Sequence, residues 1–372
     1  MAPPPYAAEL NLALGAVHAA SHLTKSVLRS LQNNVSAETK ADDSPVTIAD
    51  FAAQALLIAA LHAVYPEDHF IGEESAGALR QNEALTDRVW QLVQRAEQKH
   101  AGVDGKSEVH LLTFPTNKEQ MFDLIDRGGE GQVTGRGRVW VMDPVDGTAT
   151  FMQGQQYAVA LCLLVDGVQQ VGALGCPNLG FDVDGPLGQT RIHEDRVDES
   201  GCGVLLSAVK GQGTFVRSML EDGLGEARRV DLTALPQKRL TEVNFVESTI
   251  GKTSLSQSEH NAVATSLGSS WPGTVLWSQQ MKYAALTLGA TDVMVRIPKT
   301  KDRFTYIWDH AGGHILFEEA GGMIKDFNGR DIDFTKGRQI KGEVNYGMIA
   351  AMPGLFSDVE KAVKDVLGKR EA

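Results

Sequence analysis

The chain reads as an α/β protein of the α+β kind, built from two packed units, residues 1–235 and 236–372. Three features predict this. The N-terminal part repeats apolar residues at helical intervals, whereas from Val139 the pattern changes to short apolar runs separated by turn residues, as strands require. After Leu235-Pro236, strand-like and helix-like segments form a second block. The length of 372 residues also exceeds what one hydrophobic core usually organises.

Residues 7–31 bring Ala, Leu and Val together at helical spacing and predict a first helix. Residues 50–64 repeat the pattern, with Phe51, Ala55, Ile58 and Leu61 available to one buried face before Tyr65-Pro66 ends it. Phe70-Ile71-Gly72 predicts a short strand leading into Glu73-Glu74-Ser75. Residues 76–137 form a polar, helix-leaning insertion that closes on Gly135-Arg136-Gly137-Arg138 and is expected to act as a mobile flap. Strands are expected at 139–142, 157–165, 168–174 and 203–209, in an antiparallel meander with a hairpin turn at Asp166-Gly167. In the second unit, 245–247, 293–297 and 346–351 predict strands, and 279–289, 309–320 and 357–367 predict helices.

A formal charge of −12 with no block of Lys and Arg to offset it would repel a polyanion, which argues against nucleic acid as a partner. An anionic small molecule needs a site that concentrates positive charge, and bound metal ions supply it economically. No apolar run approaches the ~20 residues that span a bilayer, so no membrane partner is expected. Met1 to Tyr6 hold three prolines and lack the basic region and long apolar stretch of a secretory signal, and the expectation is a soluble cytoplasmic protein. Cys162, Cys176 and Cys202 are odd in number and lack CxxC spacing, which argues for buried thiols and against a disulfide framework or a structural zinc site.

The strongest local signal for chemistry is Trp140-Val141-Met142-Asp143-Pro144-Val145-Asp146-Gly147-Thr148. An apolar strand delivers Asp143 at its end, Pro144 stops it, and Gly147 permits a positive φ or close approach by a ligand. Two carboxylates three residues apart in such a turn can converge on one cation. A helix beginning near Thr148 would turn free N–H groups towards a phosphate, making Gly147 and Thr148 substrate-binding candidates. Asp50, Glu73-Glu74 and Asp309, each taken alone, equally fit an exposed loop or the first turn of a helix. His310 and His314 stand at i and i+4, but no Glu occupies the place a zinc protease needs, so they read as ordinary helix-face histidines. Gly135-Arg136-Gly137 and Gly211-Gln212-Gly213 do not complete a dinucleotide fingerprint, no P-loop occurs, and Asn34-Val35-Ser36 is an incidental sequon.

Taken in order, Pro45-Val46-Thr47-Ile48-Ala49-Asp50, Gly72-Glu73-Glu74-Ser75, Asp143-Pro144-Val145-Asp146-Gly147-Thr148 and Trp308-Asp309-His310-Ala311-Gly312-Gly313 resemble the motifs of the lithium-sensitive inositol monophosphatase-like phosphatases. The resemblance extends from about Lys40 to about Ala351. Within that superfamily the chain looks most like the 3'(2'),5'-bisphosphate nucleotidases, through Gly154-Gln155-Gln156-Tyr157, Gly175-Cys176-Pro177-Asn178-Leu179, Gln280-Met281-Lys282-Tyr283 and Asp292-Val293-Met294-Val295-Arg296-Ile297-Pro298. It implies a layered αβαβα sandwich of the inositol monophosphatase and fructose bisphosphatase type. It further implies that Glu73, Asp143, Asp146, Asp309 and the carbonyl of Val145 ligate two or three Mg²⁺ ions, while Asp50 and Thr148 orient and deprotonate an attacking water. An all-oxygen donor set suits a hard cation. Lithium is implied as an inhibitor, and the implied reaction converts adenosine 3',5'-bisphosphate to AMP, with 3'-phosphoadenylyl sulfate as a further substrate.

The chain departs from the nucleotidase pattern around the substrate. The usual Thr-Lys-Gly-Phe-Leu-Arg-Gly reads Thr148-Ala149-Thr150-Phe151-Met152-Gln153-Gly154, without its two cations, and the usual Gly-His-Ser-Ser-His segment reads Gly251-Lys252-Thr253-Ser254-Leu255. Lys282 and Arg296 remain as candidates for a second anionic group, with solvated surface cations as the alternative reading. Inositol polyphosphate 1-phosphatase or inositol monophosphatase activity is the alternative within enzymes, and a non-catalytic metabolite-binding protein or an interaction subunit are the alternatives outside them.

Overall fold

The computed structural model describes residues 3–31, 38–39, 45–46, 48–101, 112–132, 135–248 and 254–370. Thr47, the sequon Asn34-Val35-Ser36, part of the 76–137 insertion and the Gly251-Lys252-Thr253 segment lie outside the described residues.

Helices α1 (Ala7–Leu31) and α2 (Ile48–Val64) pack on each other and on one face of an eight-stranded sheet. Seven of the strands lie side by side in sequence order: β1 (His69–Gly72), β2 (Arg138–Asp146), β3 (Ala158–Val165), β4 (Val168–Cys176), β5 (Val204–Val209), β6 (Gly213–Leu220) and β7 (Arg228–Val230). The meander is antiparallel throughout, as the sequence implied, except that β1 runs parallel to β2. The β3–β4 hairpin turns at Asp166 and Gly167, with φ of 51° and 78°, the paired left-handed residues that a two-residue hairpin loop requires. β6 and β7 were not anticipated, because Arg217, Arg228 and Arg229 break their apolar pattern.

Strand periodicity explains why the sheet carries a core on each side. Val159, Leu161 and Leu163 of β3 join the cluster under α1 and α2, while Ala158, Ala160, Cys162 and Leu164 face the other cluster. On that second side lie α8 (Gln279–Thr287) and α9 (Ala311–Glu319). Beyond them is a three-stranded antiparallel sheet of β8 (Val293–Arg296), β12 (Met348–Ala351) and β10 (Met323–Lys325), in that order. A two-stranded ladder pairs β9 (Phe304–Tyr306) with β11 (Gln339–Lys341). Helices α7 (Gln257–Ser266) and α10 (Phe356–Gly368) pack together, with α10 against β12, and complete an αβαβα sandwich.

The described parts of the insertion include three helices, α3 (Gly77–Gln81), α4 (Glu83–Ala101) and α5 (Lys118–Gly129). Val89 and Val93 of α4 and Met121 and Ile125 of α5 are fully buried in the core shared with α2. The three cysteines are unpaired and buried. Among the described residues no helix is long and apolar enough to cross a membrane.

Candidate active site

The acidic strand does not stop at Met142, where the sequence placed its end. β2 continues through Pro144 to Asp146, and its pairing slips there: Asp143 faces Ala160, yet Asp146 faces Ala158. Three steps along β2 against two along β3 constitute a bulge, which tolerates a proline lacking its N–H. In a regular strand, residues three apart point to opposite faces; the extra residue turns both carboxylates to one side. Asp309 arrives from the turn between β9 and α9 on the other side of the sandwich. Carboxylate oxygens of Asp143, Asp146 and Asp309 then lie within 4.8 Å of one another.

Each acid is held by neighbours. Asp146 Oδ2 accepts hydrogen bonds from the Ser278 hydroxyl and the Gln280 N–H at the start of α8, where Ser278 Oγ also caps the helix by accepting from the Met281 N–H at 3.0 Å. Asp309 Oδ2 accepts from Thr305 Oγ1 at 3.0 Å and from the Tyr306 N–H at 3.3 Å. Behind Thr305 stands His310, with Nε2 at 2.9 Å from Thr305 Oγ1 and Nδ1 at 2.8 Å from the Tyr283 hydroxyl. Both ring nitrogens of His310 are therefore occupied in supporting the turn, and the reading of it as an ordinary helix-face residue is corrected.

Two buried glutamines clamp the acidic turns, and sequence reasoning missed both. Gln54 lies one helical turn after Asp50 on α2. Its amide donates to the Glu74 carbonyl at 2.7 Å and the Ile125 carbonyl at 2.8 Å, and it accepts from the Glu74 N–H at 2.9 Å. Gln280 donates to the Trp308 carbonyl at 2.7 Å and accepts from the Gly313 N–H at 2.8 Å. The signal was an uncharged polar residue inside an otherwise apolar helical run, which composition alone makes unremarkable.

Gly147 has φ of 93°, and a Cβ there would meet Thr150 Oγ1 at 2.8 Å and Ser278 Cβ at 2.9 Å. Only glycine allows the turn and the approach of α8 together. The single helical turn α6 (Thr148–Phe151) begins here, and Thr148 Oγ1 donates to the Val145 carbonyl at 3.2 Å, so these two predicted groups adjoin. Asp50 is buried in the first turn of α2, and its charge acts on Asp143. Glu73 lines a cavity of about 510 Å³ with Tyr306, Trp308, Lys336, Arg338 and Lys341. Arg338 donates to the Gly72 carbonyl at 2.7 Å and lies 4.7 Å from the Trp308 ring centre.

Burial is the main cause that pushes the Asp143 carboxyl well above the usual range, and Glu73, Asp146, Asp309 and Asp50 add repulsion. Asp309 is pushed up to about 7 by burial and then by Asp146 and Glu73, against the opposing pull of Arg296. Asp146 is also raised by burial, with its hydrogen bonds from Ser278 and Gln280 pulling the other way. Asp143 Oδ1 is buried without a hydrogen-bond partner among the described residues. Converging carboxylates, with Asp143 and Asp146 buried, Asp309 half-buried and one oxygen unsatisfied, are costly unless a cation joins them, and an all-oxygen set fits a hard metal ion.

Lys282 is a buried cation, and Arg296 is half-buried. Lys282 is 3% exposed, donates to the Trp277 carbonyl at 3.3 Å, and is lowered to about 8 by burial and by Arg296. Asp146, Glu194 and Glu247 act on it in the opposite sense. Arg296 ends β8, donates to the Gln279 side chain, and reaches Thr305 Oγ1 at 3.4 Å, one hydrogen bond from Asp309. Glu194, absent from the sequence reading, accepts the Trp277 N–H at 2.6 Å and is raised to about 7 by burial.

The model of the inositol monophosphatase family matches residues 8–93 and 114–360. The chain is 38% identical to a 3'(2'),5'-bisphosphate nucleotidase of Emericella nidulans, over 97% of its own length and 99% of the relative's. It is likewise 38% identical to the enzyme of that name from Schizosaccharomyces pombe, over 97% and 96% of the two chains. Among solved structures, an IMPase of Thermotoga maritima aligns with a TM-score of 0.56 at 17% identity, covering 97% of this chain and 99% of that one, a likeness of fold. With the motifs in order along the chain and Asp143, Asp146 and Asp309 brought together in this fold, the chain belongs to the inositol monophosphatase family.

Proposed function

We propose that the chain is a Mg²⁺-dependent 3'(2'),5'-bisphosphate nucleotidase that hydrolyses the 3'-phosphate of adenosine 3',5'-bisphosphate to give AMP and phosphate, and acts on 3'-phosphoadenylyl sulfate in the same way. The observation that carries this reading is the convergence of Asp143, Asp146 and Asp309 in one electrostatic neighbourhood with Lys282 and Arg296. Relatives along nearly the whole chain are named 3'(2'),5'-bisphosphate nucleotidase.

In this reading Glu73, Asp143, Asp146, Asp309 and the Val145 carbonyl hold two or three Mg²⁺ ions. Bound Mg²⁺ would supply neutralising charge for the phosphoryl oxygens and a lowered pKa for the attacking water. Thr148 and Asp50 orient that water, and Asp50 accepts its proton as the water oxygen attacks phosphorus and the ester oxygen leaves. Ser278 and Gln280 keep Asp146 in place, and Thr305 keeps Asp309 in place, so the acids need little reorganisation. The unit 1–235 contributes most of the acids, and the unit 236–372 contributes Asp309 together with Lys282 and Arg296 for the distal 5'-phosphate. Lithium is an inhibitor and the location is cytoplasmic in the same reading.

Inositol phosphates are the second reading, favoured by the absence of cations across Ala149-Thr150-Phe151-Met152-Gln153. The metal-dependent reading is tested with Asp143→Asn. Phosphate release with saturating Mg²⁺ is expected to disappear while the fold persists. Near-normal turnover by that variant overturns the site.

A further inference from the structure

A second group of metal-ligating side chains gathers beside His22 of α1, away from the acidic centre in sequence. His22 and Cys202, with Glu221 just beyond β6, offer ligand atoms that all lie within 4.8 Å of one another. Cys202 Sγ is 3.8 Å from His22 Nδ1 and 3.8 Å from Glu221 Oε1. A tetrahedral zinc with bonds of about 2.0–2.3 Å has ligand-to-ligand edges of roughly 3.5 Å, so a small contraction brings these three atoms onto one ion. The outer contacts are those that metal-binding side chains use. His22 Nε2 lies 2.9 Å from the Leu220 carbonyl and 3.0 Å from His18 Nε2, contacts that hold the ring with Nδ1 towards the sulfur. His18, four residues earlier on the helix, meets the same carbonyl at 2.8 Å. Lys99 Nζ holds Glu221 Oε2 at 2.6 Å, so that Oε1 faces the cluster.

We propose that His22 Nδ1, Cys202 Sγ and Glu221 Oε1 form a Zn²⁺ site with a fourth position for water, joining α1 to the segment before β5 and to the hairpin after β6. The sequence argued against zinc because cysteine spacing was absent, but a site with one cysteine from three distant segments needs no such spacing. On binding, a Zn–S bond replaces the S–H bond and the thiol proton leaves to solvent, with no change of oxidation state. Thiolate and carboxylate then balance the ion's charge, and burial keeps the His22 imidazole neutral and able to ligate. Cys202 is 7% exposed and Glu221 is exposed, so an ion has a path from solvent.

The test uses the full chain in excess Mg²⁺ and titrates Co²⁺, then Zn²⁺. Co²⁺ is expected to give one equivalent of a thiolate-to-metal charge-transfer band in the near ultraviolet, which an all-oxygen centre cannot produce. Zn²⁺ should displace it and raise the thermal midpoint. Cys202→Ser should abolish the band and the Zn²⁺-induced rise, and His22→Asn should weaken both, with Mg²⁺-dependent activity retained. No band in the parent protein, or a band that persists in Cys202→Ser, overturns the proposal.

Discussion

Removing divalent metal from this protein should make its stability depend on pH in a defined direction. In the folded chain the Asp309 carboxyl is raised from 3.8 to about 7, and Asp143 and Asp146 shift the same way, because burial and mutual repulsion penalise their charged forms. A group whose folded pKa is raised contributes stability below its unfolded pKa and loses it as pH rises through the folded value. At about 1.4 kcal/mol per pH unit, the rise of the Asp309 carboxyl corresponds to ~4 kcal/mol lost between roughly pH 4 and pH 7. The buried histidines act in the opposite sense, since burial lowers His22, to about 4, and also lowers His310. They are common to both metal states, so the informative quantity is the difference. Urea unfolding in EDTA and in saturating Mg²⁺, at steps from pH 4.5 to pH 7.5, should show a Mg²⁺-dependent stabilisation that is small in acid and grows by about 2–4 kcal/mol towards neutrality. A stabilisation that is constant with pH, or that shrinks as pH rises, refutes the electrostatic account of the cluster.

Two further outcomes follow from the contacts around the site. Gln54→Leu removes the three buried hydrogen bonds to the Glu74 N–H, the Glu74 carbonyl and the Ile125 carbonyl, which should cost about 2–4 kcal/mol by urea unfolding and lower turnover by loosening the Glu73 turn. An unchanged urea midpoint would show that the clamp carries no energy. Arg296→Met should lower kcat/KM for adenosine 3',5'-bisphosphate by about 10–100-fold, from one charge-assisted bond of about 1.5–3 kcal/mol, while use of a monophosphate changes far less. Equal losses on both substrates would remove Arg296 from the distal phosphate.

The order of elements was legible because most depend on local patterns. Runs buried on both faces, such as Val139 to Met142, and the Asp166-Gly167 turn announce themselves in any context. The extension of β2 to Asp146 was not legible, since a proline ordinarily ends a strand and only pairing with β3 reveals the bulge. The same bulge makes Asp143 and Asp146 converge, so the spacing was visible while its geometry was not. The acids themselves were readable from ordered motifs. Their supports Gln54, Ser278, Gln280 and Thr305 were not, because a hydrogen bond between segments far apart in sequence leaves no periodic mark. Lys282 shows the same limit, for its burial follows from packing of α8 between the sheets.

The measurement closest to the central claim is a side-by-side comparison of phosphate release from adenosine 3',5'-bisphosphate, inositol 1,4-bisphosphate and inositol 1-phosphate, with Mg²⁺ and with EDTA. A carboxylate-held metal centre beside Lys282 and Arg296 predicts Mg²⁺-dependent release that is fastest from the nucleotide bisphosphate and absent in EDTA. A clear preference for either inositol compound contradicts the nucleotide assignment, and release that continues undiminished in EDTA contradicts the metal centre itself.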